Sequence, residues 1–269
     1  MAYKINVFSF LILFSVNVHS QSPWVNKKGS LYGQVSFTNL SYSSVINDEL
    51  NEIVPTDFKS RDLTTSLFAD YSLTDKMAVL ANLPFKAVQH NNQSLSSLGD
   101  PTLKLKYRFL KNIPLAVNVG YMAPFSKREG VLRTGYSQHA AELGLSIGKG
   151  KERSFMYGGL GYRFRANIPS QALVEFEYGH QFLLTKKQKP FYLIFRIDGA
   201  LLTSQTEDEE AGLANFYHNG GEFLSPALKL SFNAFGNFWF NAAAHSAVIV
   251  RNFGASSTLN FGLAYKIEK

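Results

Sequence analysis

Residues 99–109 read Gly99-Asp100-Pro101-Thr102-Leu103-Lys104-Leu105-Lys106-Tyr107-Arg108-Phe109, so that Thr102, Lys104, Lys106 and Arg108 alternate with Leu103, Leu105, Tyr107 and Phe109. A helix would scatter both sets around its axis. In a strand, successive side chains point to opposite faces, which puts every cation on one side and every apolar group on the other. The two faces therefore meet two different solvents.

The same parity recurs along the chain. Leu115, Val117, Val119 and Tyr121 alternate with Ala116, Asn118 and Gly120; Leu143, Leu145 and Ile147 with Glu142, Gly144 and Ser146; Leu259, Phe261, Leu263 and Tyr265 with Thr258, Asn260, Gly262 and Ala264. Repeated alternating segments of about ten residues are the pattern of a transmembrane β-barrel. The pattern predicts about twelve strands, near 30–40, 62–73, 77–89, 101–110, 114–123, 138–148, 154–166, 171–183, 190–203, 222–232, 237–248 and 256–266. Tight links, such as Thr74-Asp75-Lys76, alternate with mostly longer polar links at 41–61, 90–100, 124–137 and 204–221. The fold expected is all-β: a transmembrane antiparallel up-and-down barrel with short turns toward the periplasm and loops outside. A secreted β-sandwich would alternate for the same geometric reason, but aromatic residues toward the strand ends favour the barrel.

Composition agrees. Of 269 residues, 45% are hydrophobic and only 17% charged, with 23 Phe and 13 Tyr, while a mean hydropathy of -0.08 excludes a polytopic helical membrane protein. The net charge of +7 is spread without a long basic run, which argues against a nucleic-acid partner. A basic start at Met1 to Lys4, an apolar run from Ile5 to Val16 and small residues before Gln21 read as a secretory signal peptide over 1–20. The barrel domain is then 21–269, in the outer membrane of a Gram-negative cell. Its expected partners are outer-membrane lipid, small solutes and, during biogenesis, the barrel-assembly machinery.

With the apolar parity outside, the inward face carries Lys104, Lys106, Arg108, Glu142, Arg163, Arg165, Glu175, Glu177, Arg196, Asp198 and Lys229, together with Asp70, Lys86 and His245. Arg163 and Arg165 on one strand, Glu175 and Glu177 on the next, and Arg196 and Asp198 on the third are placed for cross-strand ion pairs. The same charges would bias which solutes pass.

The segment Ser97 to Phe109, followed by Leu115 to Phe125 (LAVNVGYMAPF), resembles the Gly-Asp strand and its successor in outer-membrane proteins of the meta-cleavage pathway of phenol degradation. Those proteins look like relatives of the long-chain fatty-acid transporters. The resemblance implies passive uptake of small hydrophobic or aromatic compounds. The alternatives are a closed barrel that binds at its surface and an outer-membrane hydrolase.

Catalytic patterns are thin. Ser137 and His139 stand two apart without an orienting partner, and Glu175 and Glu177 share one strand face, whereas a glycosidase draws its carboxylates from different elements. The acidic run Glu207 to Glu210 fits a solvated loop or a cation contact. The sequence has no Cys and no His spacing of a metal site, so no enzyme activity, cofactor or metal is assigned.

Overall fold

The computed structural model describes residues 22–47, 52–110, 113–130, 132–183, 190–203, 222–246, 249–251 and 254–269. The signal peptide, the acidic run Glu207 to Glu210 and the Thr185 to Lys189 turn of the sequence reading lie outside the described residues.

In chain order the strands are β1 (Leu31–Asn47), β2 (Glu52–Ser72), β3 (Met77–His90), β4 (Gln93–Leu98), β5 (Thr102–Arg108), β6 (Leu115–Met122), β7 (Arg128–Glu129) and β8 (Leu132–Arg133). They continue with β9 (Ala140–Gly150), β10 (Ser154–Arg165), β11 (Gln171–Leu183), β12 (Pro190–Leu202), β13 (Glu222–Phe235), β14 (Phe238–Ser246), β15 (Ile249–Arg251) and β16 (Gly254–Ile267). Twelve of these pair antiparallel with their neighbours in the order β1, β2, β3, β5, β6, β9, β10, β11, β12, β13, β14, β16. β16 pairs back onto β1, with Phe37 opposite Phe261 at the centre of that ladder. The sheet is therefore a closed barrel, and closure removes the edges that an open sheet would expose to lipid.

Parity decides what each face meets. Along β5 the burial pattern runs ieBeBii, with Leu103 57% and Leu105 42% exposed while Lys104 and Lys106 are buried. β9 repeats it, with Leu143, Leu145 and Ile147 outward and Glu142 and Ser146 inward. An apolar exterior around a polar interior inverts the soluble pattern and suits a bilayer. Exposed Tyr71, Phe109, Phe182, Phe235 and Tyr265 gird the end that carries the first and last described residues and the short turns. We call this the turn end. Exposed Tyr121, Phe125 and Phe164 gird the opposite, loop end.

Three of the expected loops hold more structure than their sequence announces. Most of 41–61 continues β1 and β2 as a ladder in which Tyr42 opposes Ser60 and Val45 opposes Val54. Residues 90–100 contain β4, paired to β3, and 124–137 contain the small hairpin of β7 and β8. Alternation is imposed by lipid on one side of a strand. Past the bilayer edge that demand ends, so backbone pairing continues without its side-chain pattern.

The register makes a quantitative expectation. Leu105→Lys places a charge on the lipid face and should destabilise the barrel by about 2–4 kcal/mol, read by denaturant unfolding in vesicles. An unchanged midpoint would contradict the assigned parity.

Candidate functional site: the barrel lumen

Ion networks brace the inner wall, and register builds each of them. Tyr157, Glu177 and Arg196 fall in one row across β10, β11 and β12, with Glu175 opposite Asp198 one row away. Arg196 therefore lies 3.3 Å from Glu175, 3.5 Å from Glu177 and 2.6 Å from Asp198. The Tyr157 hydroxyl donates to Glu175. Lys229, on the adjacent β13, adds a positive field at Asp198.

A second network spans five strands. Lys104 on β5, Gly120 on β6 and Glu142 on β9 occupy one row. A Cβ at Gly120 would come within 2.8 Å of Lys104 Cγ, so the missing side chain lets the lysine cross β6 and bond Glu142. Arg163 reaches the other Glu142 oxygen at 2.6 Å and donates to Gln171 at 3.1 Å. Nearer the loop end, Lys86 is 3.2 Å from Asp62.

The cross-strand pairing expected between the arginines of β10 and the glutamates of β11 does not form. Arg163 stands opposite Gln171, four positions from Glu175, and turns to Glu142 instead. Arg165 donates to the Pro169 carbonyl at 2.6 Å and lies 5.0 Å from the Tyr136 ring centroid. Arg108 sits at the turn-end rim, donating to the Asp75 carbonyl at 2.8 Å. Sequence parity placed each of these on the inner side but could not supply the stagger between strands.

The segment before β1 enters the barrel, which its sequence did not announce. Lys106 donates to the Trp24 carbonyl at 3.1 Å and is 3.3 Å from Asp70. Val25 packs with Ala78, Leu80 and Phe68. Gly148, on the inner side of β9, makes room: a Cβ there would lie 2.8 Å from Pro23 and 2.9 Å from Trp24. Trp24 meets the rings of Phe155 and Tyr157 edge-on, at centroid distances of 5.8 and 5.7 Å. Phe155 is 6.4 Å from Tyr192, which is 6.0 Å from Trp239. These five rings form a collar inside the turn end, and they border a cavity of about 580 Å³ that Lys229 and His245 also line.

At the loop end, the Gly-Asp motif has a defined role. The Asp100 carboxylate accepts backbone N–H bonds from Ser126, Tyr136 and Ser137 at 3.0, 2.7 and 3.2 Å. Thr134, fully buried, bonds Ser97 at 2.5 Å and the Leu98 carbonyl at 3.2 Å. Asp100 thus ties Ser126 to Tyr136 and Ser137 at this end of the barrel.

Ser137 and His139 are not brought together for catalysis. The Ser137 hydroxyl donates to the Ser126 carbonyl at 3.0 Å, while the His139 ring bonds the Tyr121 hydroxyl at 2.5 Å. Glu175 and Glu177 both engage Arg196. Among the described residues no group of three His, Asp or Glu is placed to hold a metal ion.

No protein-family model and no curated protein matches the chain. Solved structures do. A crystal structure of an outer membrane channel from Pseudomonas putida F1 superposes with a TM-score of 0.71 at 14% identity, over 93% of this chain and 100% of that one. A mutant of the TodX monoaromatic hydrocarbon channel gives 0.52 at 8% identity, over 96% of both chains. The translocator domain of the autotransporter NalP from Neisseria meningitidis gives 0.51 at 9% identity, over 90% of both. At such identities the likeness shows the fold, and the fold serves both channels and a translocator.

Arg196→Met should destabilise the barrel by about 3 kcal/mol, because it strands carboxylates that the guanidinium neutralises; equilibrium unfolding in vesicles measures this. Asp100→Ala should speed amide hydrogen exchange at Ser126, Tyr136 and Ser137 by roughly tenfold or more, the worth of a charge-assisted hydrogen bond. Unchanged exchange would remove Asp100 from the role assigned to it.

Proposed function

We propose that the protein is an outer-membrane channel for passive uptake of small hydrophobic or aromatic compounds, with its turn end toward the periplasm and residues 1–20 removed on export. The observation that carries this reading is the collar of Trp24, Phe155, Tyr157, Tyr192 and Trp239 around the lumen cavity. Aromatic rings bind other rings edge-on or offset, and an apolar body gains from leaving water. A cavity of about 580 Å³ falls within the range of small-molecule sites. The TodX channel, described as a monoaromatic hydrocarbon channel, shares the barrel fold and adds to this reading.

A second reading has a specific observation in its favour. The segment Ser22 to Asn26 lies inside the turn end, tied by Lys106, so the barrel could instead be closed and act through its loops.

Both Trp residues of the chain, Trp24 and Trp239, border the cavity, so intrinsic fluorescence reports its occupancy without a label. Titrating the folded protein with phenol or toluene should give a saturable change in Trp emission, diminished in Phe155→Ala. A purely linear collisional quench, equal in both proteins, would count against a site at the collar.

A further inference from the structure

Inside the lumen the carboxylates Asp62, Asp70, Glu142, Glu175, Glu177 and Asp198 each lie against a cation. The turn end carries an exposed excess of cations: Lys27, Lys28, Lys76, Lys149, Lys151 and Arg153, against the carboxylates Asp75, Glu152 and Glu268. Within this ring one turn stands out. Lys149 continues the outward parity of Leu143, Leu145 and Ile147, and its cross-strand partner is outward-facing Met156, itself opposite Tyr178. Ile147, Met156 and Tyr178 are 54%, 44% and 42% exposed, an apolar wall with Lys149 at its lower edge. Lys151 and Arg153 follow in the tight turn closed by the Lys151 N–H to Ser154 carbonyl bond of 2.7 Å, with Glu152 the single acid between them.

We propose that Lys149, Lys151 and Arg153 form a binding site for the phosphate head group of an anionic phospholipid whose acyl chains lie on Ile147, Met156 and Tyr178. A lysine on the lipid-facing parity lays its methylene stem along apolar surface and presents its ammonium at head-group depth. Cations near an anionic leaflet each add severalfold to the attraction. An acidic protein or a nucleic acid would engage the rim from the aqueous side and make no use of the outward wall above it. The site is independent of whether the lumen conducts.

The test is native mass spectrometry of the full mature chain, folded in detergent with equimolar phosphatidylglycerol and phosphatidylcholine. Heat-modified electrophoretic migration verifies folding of every variant. The wild type should retain phosphatidylglycerol at least about tenfold over phosphatidylcholine. K149Q/K151Q/R153Q should lose that preference, and K27Q/K28Q/K76Q, on the same rim, should keep most of it. Equal retention of the two lipids by the wild type would overturn the proposal, as would an equal loss in both triple variants, which would mean a diffuse ring of charge. Displacement of the bound lipid by inorganic phosphate alone would also overturn it, because the wall would then contribute nothing.

Discussion

Inside hydrocarbon a peptide group has no water to bond, so a strand can cross a membrane only if a neighbour on each side accepts and donates its hydrogen bonds. Here that condition is met by the pairing of β16 with β1, which converts a meander of hairpins into a ring. The rest follows from this closure. With no edges left, each strand has one face for lipid and one for the lumen, and a single-residue slip would exchange Lys104 and Lys106 for Leu103 and Leu105.

Closure also dictates how the inner wall is stabilised. Packing such charges into a narrow interior is costly unless each meets its opposite, and the side chains must reach across strands to do so. Arg196 gathers Glu175, Glu177 and Asp198 from two strands, while Lys104 spans Gly120 to reach Glu142. The result is a lumen rich in charge, with aromatic rings at one end and the Asp100-held loop at the other. Within these networks Glu142, Glu175, Glu177 and Asp198 each lie against at least one cation.

The strands were legible because lipid imposes a period of two on every residue it touches. All twelve barrel strands lie near their expected positions. Relations that depend on stagger were hidden. Parity cannot tell that Arg163 faces Gln171, or that Gly120 clears a path for Lys104. Nor does parity speak for segments outside the bilayer: β4, β7 and β8 carry no alternation that lipid would enforce. The entrance of Trp24 into the lumen depends on Gly148 and Lys106, more than a hundred and some eighty positions away, and no local pattern marks it. The Gly-Asp motif was conspicuous as a sequence, yet its purpose became clear only when Asp100 met the three amides of a segment folded back upon it.

The central functional claim is selectivity for aromatic solutes, and flux through the refolded protein in lipid vesicles tests it most directly. Phenol or toluate and small sugars are compared against protein-free vesicles, with folding established beforehand. The account predicts aromatic flux well above the protein-free rate with little for sugars. Equal flux for every solute, or none from folded protein, would contradict it.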